Sequence, residues 1–329
     1  MKYKKCHLLI IVLCLILSFF KEKRLCAQEQ VRFNSMVDHF GLFNPSYTGK
    51  DTTVWVDVIN TTQWSGFEGS PTTTTAHMHG HIQSIEAVDR GEDVKKALGF
   101  GFTIQSDKVG LRNNSTASIQ LQSGIQIGDY SYLYLGVDGG SSLIRYDMGK
   151  MNSGEVIPEG ENRNDYFVGA GVTLEAGNFI AGGAGRKVIS KNTEINNMSY
   201  FGHAEYLAML PSFSLKPVGF VQYDTNKQTI WDAGIFAGFV RDKIWIGGIY
   251  HSNNSFSAML KVHALKFFKF SYIYTLNTGE LQNFAKNSNE FNISIDLRNL
   301  WMKIFGIKHG VNLIDYFKDD QQKNSFINK

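Results

Sequence analysis

The sequence predicts an all-β chain that closes into a transmembrane barrel of the outer-membrane kind, with about 14 antiparallel strands within a range of roughly 12 to 16. Three observations carry the prediction. Segments of about ten residues alternate apolar and polar side chains and are separated by turn residues. Beyond the first 27 residues, no apolar stretch approaches the roughly 18 residues of a membrane helix. Glycine and aromatic residues are abundant while proline is scarce, with 32 Gly, 24 Phe and 14 Tyr against 5 Pro in 329 residues, so few strand interiors are interrupted.

The chain opens with Lys2, Lys4 and Lys5 ahead of an apolar run from Leu8 to Phe20. That is the layout of a secretory signal peptide, with cleavage expected after Ala27, so the chain is read as exported. Cys26 raises a lipoprotein reading, but Lys23 and Arg24 stand where a lipidation signal wants small or apolar residues. The removed segment holds six of the 33 Lys/Arg (Lys2, Lys4, Lys5, Lys21, Lys23, Arg24), one of the 30 Asp/Glu (Glu22) and all three cysteines. The mature chain is therefore slightly acidic and free of thiols. It has neither the electrostatic footprint of a nucleic-acid binder nor a disulfide framework.

The next residues, 28–52, are expected to form a periplasmic or plug-like segment, followed by a barrel over 53–298 and a tail over 299–329. Periodicity places strands at 53–60, 72–82, 97–106, 117–127, 131–137, 164–177, 178–189, 198–210, 213–224, 229–240, 243–251, 254–264, 266–276 and 289–298. In 117–127, Ile119, Leu121, Ile125 and Ile127 oppose Ser118, Gln120, Gln122 and Gln126. Phe291, Ile293, Ile295 and Leu297 oppose Asn292, Ser294, Asp296 and Arg298 in the same way. A soluble β-sandwich turns such an apolar face inward, and a barrel in lipid turns it outward. Alternation alone leaves both open.

Connection lengths favour the barrel. An even strand count puts both ends of the chain on the periplasmic side, with long loops 61–71, 107–116, 138–163, 190–197 and 277–288 on the outside. Short turns at Gly128 to Tyr130, Gly177-Asn178, Pro211-Ser212 and Arg241 to Lys243 face the periplasm. The charged stretch 83–96 breaks the rule and reads as a short exposed helix or docking loop. Tyr130, Tyr132, Tyr134, Trp231, Trp245 and Tyr250 fall where aromatic girdles sit, as they also would in an ordinary β core.

Catalytic and ligand motifs are sparse. His77, His79 and His81 share one face of a strand, as metal ligands or as plain lumen residues. In His251-Ser252-Asn253, similar to an element of outer-membrane lipid hydrolases, adjacent residues point to opposite faces, so Ser252 is badly placed to give His251 its proton. Gly182-Gly183-Ala184-Gly185-Arg186-Lys187 lacks phosphate-loop spacing. Asp165 and Glu175 have no cleft assigned to them. No catalytic, cofactor or metal residue is expected.

The most specific stretch lies near the start of the mature chain. Asn44-Pro45-Ser46-Tyr47-Thr48-Gly49 is a turn; Val54, Val56 and Val58 then alternate with Trp55, Asp57 and Ile59; Gln63-Trp64-Ser65-Gly66-Phe67-Glu68-Gly69-Ser70-Pro71 is a second turn. This composite resembles the opening of the PorP/SprF family, outer-membrane proteins of the type IX secretion system of the Bacteroidetes. Phe270-Ser271-Tyr272-Ile273-Tyr274, Gly279-Glu280-Leu281 and Asn289-Glu290-Phe291-Asn292-Ile293-Ser294 resemble the family's closing hairpin, with Asn289 in place of a histidine and an added tail from Trp301.

The resemblance implies an outer-membrane location and a non-enzymatic role without cofactors. That role is to assist export or surface attachment of cargo such as large adhesins, including gliding motility. The partners it implies are outer-membrane lipid, periplasmic secretion-ring proteins and the cargo's C-terminal domain. Asn44, Pro45, Tyr47, Gly49, Gln63, Trp64, Gly66, Phe67, Gly69 and Pro71 are the candidate partner-binding residues, expected to fold back against the wall or lumen or to shape the first hairpin. The competing readings are a secreted or surface β-sandwich binding glycans or protein, an outer-membrane hydrolase using His251, and a diffusion pore.

Overall fold

A computed structural model describes residues 33–50, 53–66, 69–82, 98–147, 162–190, 197–225, 229–265, 267–278, 287–297 and 300. The expectations for the signal peptide, for 83–96 and for the tail beyond residue 300 lie outside the described residues.

The strands are β1 Trp55–Thr62, β2 Thr72–Ile82, β3 Leu98–Val109, β4 Arg112–Gly128, β5 Ser131–Tyr146, β6 Arg163–Ala176, β7 Phe179–Ile189, β8 Met198–Tyr206, β9 Ala208–Met209, β10 Ser214–Asp224, β11 Ile230–Phe239, β12 Ile244–His251, β13 Ser255–Leu265, β14 Phe268–Asn277 and β15 Ser288–Asp296. β9 is a two-residue piece paired with the start of β10. The other fourteen run antiparallel in chain order. β1 pairs with β15 from Trp55↔Asp296 to Thr62↔Asn289 and with β2 from Trp55↔His79 to Thr62↔Thr72. The sheet therefore closes and has no free edge.

The face directions remove the sandwich reading. Ile119 is 62% exposed and its neighbour Gln120 is 1% exposed. Leu121, Ile125, Val137, Val168, Ile235 and Ile246 also point outward, while Gln122, Asp138, Thr173, Asp232 and Ser257 are buried inside. An apolar exterior around a polar interior is stable only where lipid covers the outside.

The loop expectations need correction at two places. Residues 107–109, 112–116 and 138–146 belong to strands: β3 turns into β4 at Gly110-Leu111, with Gly110 at φ +56°, and β4 pairs with β5 as far as Arg112↔Tyr146. Asn113, Asn114, Ser115 and Thr116 carry no apolar phase, so they read as loop. They are held instead by the ladder and by cross-strand bonds such as Thr116 to Ser142 at 3.1 Å. The rim where β1 begins has short turns at 129–130, 177–178 and 240–243, while β1 ends and β2 begins, and β14 ends and β15 begins, at the other rim. These are called the short-turn and long-loop rims below.

The lumen is filled by the chain itself. Residues 33–50, with three single-turn 3-10 helices η1 Met36–Asp38, η2 Phe40–Leu42 and η3 Pro45–Tyr47, lie inside the wall. Phe33, Met36, Val37, Phe40 and Phe43 pack against Ile59, Phe201, Phe220, Phe236, Ile249 and Met259. A fully buried side chain of this size contributes about 1.5–3 kcal/mol.

Candidate functional site

The candidate site is this lumenal segment and the cavity it leaves at the short-turn rim. η3 begins with Pro45, whose fixed φ suits the first helical position, and is capped by Asn44. Asn44 Oδ1 accepts from the Ser46 backbone N–H at 3.0 Å and from Ser46 Oγ at 2.6 Å. Asn44 Nδ2 donates to Thr173 Oγ1 at 3.1 Å and lies 3.0 Å from His203 Nε2. The capping residue thus fixes both the turn and its place on the wall.

The wall makes room by omitting side chains. A Cβ on Gly136 would stand 2.3 Å from the Ser46 nitrogen and 2.4 Å from the Pro45 carbonyl carbon, and one on Gly171 would stand 2.1 Å from Asn44 Oδ1. η3 therefore lies directly on the backbones of β5 and β6. Thr48 Oγ1 donates to Gln120 Oε1 at 2.7 Å, and Gln120 Nε2 donates to the Gly41 carbonyl at 2.7 Å. Tyr47 donates its hydroxyl to Glu205 Oε1 at 2.7 Å, and Phe40 stacks on His203 with ring centres 4.5 Å apart. Gly49, at φ +74°, turns the chain out toward β1.

The beginning of the segment is tied near the opposite rim. Glu290, fully buried, accepts from the Asn34 backbone N–H at 2.8 Å, from Ser35 Oγ and from Thr61 Oγ1 at 2.8 Å. Three donors hold this buried ionisable group in place, and losing them would strand it.

The second half of the opening motif is elsewhere. Gln63 to Pro71 connects β1 to β2 at the long-loop rim, separated from Gly49 by the length of β1, about 25 Å for eight residues at the usual strand rise. Its ends meet through the Gln63 N–H and the Pro71 carbonyl at 2.9 Å. Trp64 adopts φ +52°, Gly66 +94° and Gly69 +78°. The loop is bonded to neighbouring hairpins, Ser65 N–H to the Asn287 carbonyl at 2.9 Å and Gly110 N–H to the Gly69 carbonyl at 3.1 Å. Phe67 lies outside the described residues. Of the ten candidate residues, then, Asn44, Pro45, Tyr47 and Gly49 meet in the lumen, while Gln63, Trp64, Gly66, Gly69 and Pro71 form a rim clamp.

Between the segment and the wall at the short-turn rim is a cavity of about 260 Å³. Asp38 reaches into it and is gripped by Lys261 Nζ and, at 3.7 Å, by Lys216 Nζ. Burial alone would push the Asp38 carboxyl up; Lys261 and Lys216 outweigh it and hold the group well below the usual carboxylate range. Burial keeps the neighbouring His39 imidazole below its ordinary value, and Asn292 Nδ2 donates to His39 Nε2, which suits a neutral ring. Lys50 pairs with Glu205 at 3.3 Å. Asp38, Lys216 and Lys261 escape motif reading; their signal is lysine in the inward phase of β10 and β13.

The remaining candidates resolve as follows. His77 and His79 stack at 4.7 Å and lie with Asp57 of β1 in a group whose ligand atoms are all within 4.8 Å of one another; His81 is not part of it. Each has a protein partner, His79 Nε2 to Asp57 Oδ2 at 2.9 Å and His77 Nε2 to Gln120 Oε1 at 3.2 Å. His251 turns inward to Asp232 at 2.7 Å and to Ser257 at 2.7 Å, while Ser252 Oγ accepts from the Trp231 N–H at 3.0 Å. His251, Asp232 and Ser257 have the order of a hydrolytic triad. All three are at most 2% exposed, however, and the lumenal cavity does not reach them. Gly182 to Lys187 is strand interior in β7. Asp165 pairs with Arg163 at 2.8 Å, and Glu175 accepts from Tyr134 at 2.9 Å.

Among solved structures, the chain is similar to the Acinetobacter baumannii outer membrane protein Omp33 (9% identity, 76% of this chain and 100% of that one, TM-score 0.47). It is also similar to the CymD monoaromatic hydrocarbon channel (10% identity, 80% and 92%, TM-score 0.44) and to the Ralstonia pickettii toluene transporter TbuX (11% identity, 77% and 91%, TM-score 0.43). No curated protein matches the chain. The model of the type IX secretion system membrane protein PorP/SprF family matches residues 25–296, which take in the lumenal segment and all strands. This closed barrel, an outer-membrane protein, belongs to that family.

Proposed function

We propose that this chain is a non-catalytic docking body of type IX secretion: it assists export or surface attachment of cargo such as large adhesins, in support of gliding where the cell glides. In this reading it contacts periplasmic secretion-ring proteins and the cargo's C-terminal domain. The observation that supports it best is the filled lumen. Residues 33–50 are bonded to β4, β6, β8 and β15, so the interior is committed to the chain's own segment, and recognition falls to the rims.

The long-loop rim carries the clamp formed by Gln63, Trp64, Gly66, Gly69 and Pro71, and the short-turn rim carries the basic cavity. With termini on the periplasmic side, the cavity faces the secretion ring. The test is affinity recovery of the tagged chain from outer membranes in mild detergent with mass spectrometry, beside a deletion strain assayed for surface adhesins. Co-recovery of ring proteins or one large adhesin, and loss of that adhesin from the surface, are expected. Recovery without such partners, with surface cargo unchanged, sinks the proposal. The diffusion-pore reading makes the opposite forecast, steady conductance of the purified chain in planar bilayers.

A further inference from the structure

We infer that the cavity at the short-turn rim is a binding site for an acidic peptide, whose carboxylates exchange with Asp38 on Lys216 and Lys261. The inference deepens the secretion reading and rests on it for where such a peptide comes from.

Charge is the first argument. The cavity is lined by four lysines, Lys50, Lys216, Lys261 and Lys269, against two carboxylates, Asp38 and Asp57. Glu205, just behind the lining, pairs with Lys50 at 3.3 Å and with Lys216 at 3.7 Å, so a surplus of one cation remains before any histidine is counted. The same surplus argues against a divalent cation on Asp57, His77 and His79, because the ammonium groups would repel it at close range in a weakly screened space.

The second argument is that the site already holds a carboxylate. Asp38 of η1 is the occupant of the Lys216 and Lys261 pair. It belongs to a single-turn helix flanked by Asn34, Ser35 and His39, which are bonded to the wall on their own, so the segment stays seated when the Asp38 carboxylate is exchanged for one of the same chemistry. Lys269 is a further anchor: its Nζ lies 3.6 Å from the centre of the Trp55 ring, and it has no carboxylate partner among the described residues. The cation–π contact holds the ammonium in place without neutralising it.

Size and access fix the kind of ligand. About 260 Å³ is just below the usual small-molecule range, enough for a side chain or two and too little for a folded domain. The lysine side chains are still reached by solvent, with 25% of Lys50, 23% of Lys216 and 18% of Lys261 exposed. The aromatic walls, Trp55, Trp245 and Phe236, suit the apolar part of a peptide, and the lysines suit its acids.

The experiment uses the purified full chain in detergent and fluorescein-labelled hexaglutamate, read by fluorescence anisotropy. Saturable binding is expected, with none for hexalysine. Lys269→Gln should weaken it at least fivefold, and Asp38→Asn, which frees Lys261 and leaves Lys216 with Glu205 alone, should tighten it at least fivefold. Lys261→Gln strands Asp38 in a buried place and can fail to fold, so the first two variants carry the test, each checked for heat-modifiable migration on gels. Equal affinity in the unaltered chain, Lys269→Gln and Asp38→Asn overturns the inference. So does an equal loss on replacing exposed Lys187 of β7 with Gln, or equally effective competition by inorganic phosphate, which would mark a generic anion site. Peptide binding beside normal cargo display in a deletion strain would refute the secretion reading and leave the site standing. Lost display without peptide binding would do the reverse.

Discussion

The two halves of the lumen hold the same segment by different physics. β8 and β10 to β14 present Phe201, Phe220, Phe236, Ile249, Met259 and Ile273 to it. β2, β4, β5 and β6 present His77, Gln120, Asp138 and Thr173. The apolar contacts of the first half attract without direction, since burial is roughly proportional to area. Its directed bonds from Glu205 to Tyr47 and from Lys216 and Lys261 to Asp38 lie toward the short-turn rim. The polar half contributes less free energy per contact but accepts one arrangement only, because each buried donor left unmatched is costly. The comparison teaches a division of labour: one side supplies adhesion and the other supplies register. Substitutions on the two sides should therefore fail differently.

The largest effect is expected on the adhesive side. Phe40→Ala should lower the stability of the seated segment by about 3–5 kcal/mol, the usual range for a buried phenylalanine. Proteolysis between residues 33 and 50 in folded barrels measures it. If protection is unchanged, the apolar half is not what holds the segment.

Next is the wall itself. Gly136→Ala puts a methyl group into the Ser46 and Pro45 backbone and should cost about 1–3 kcal/mol, seen in the same assay. Displacement of the segment should also give the purified variant a bilayer conductance that the unaltered chain lacks.

Asn44→Ala removes a cap and leaves Thr173 and the Ser46 N–H without that partner, at a cost of about 1–2 kcal/mol. Here the failure should be one of register: near-normal thermal stability of the barrel, with broadened or shifted signals from residues 44–49 in magnetic resonance spectra. Sharp, unshifted signals would remove the distinction between the halves.

The smallest effect concerns pH. His39 is held below its ordinary value by burial, so the seated segment binds fewer protons than the released one. Stability then rises with pH up to the ordinary histidine value of about 6.5 and falls on acidification below it. Asp38, also lowered, contributes fully above the ordinary carboxylate value of about 3.9 and loses that contribution as pH falls further. Proteolysis at pH 8 and pH 5 should show faster cleavage at pH 5, and His39→Gln should reduce the difference.

The barrel was legible in the sequence because its rule is local: every strand in the periodicity reading corresponds to one in the structure, and the outward phase of Ile119, Leu121 and Ile125 could be read residue by residue. The strand stretches misread as loop, at 107–116 and 138–146, run through Asn113 to Thr116 and Asp138 to Ser142, which are polar or glycine on both faces and so carry no phase. The turn at Asn44 to Gly49 announced itself through Pro45 and Gly49. Its seat did not, because Asn44 meets Thr173 and Ser35 meets Glu290 across 129 and 255 positions. The omission of side chains at Gly136 and Gly171 is visible in the sequence, but its meaning appears only once η3 lies on them.

The seam between β1 and β15 has a consequence for assembly in time. Trp55 to Thr62 can complete their pairing only when Asn289 to Asp296 arrive, and contacts so distant in sequence are late ones. Until then the cylinder is an open, curved sheet with an accessible inner surface. The segment from Phe33 to Lys50 can be laid onto that surface from the side, and Glu290, arriving with the last strand, binds Ser35 and Thr61 as the cylinder shuts. A seam made of the first and last strands thus leaves a way for the interior to be packed before the wall is sealed.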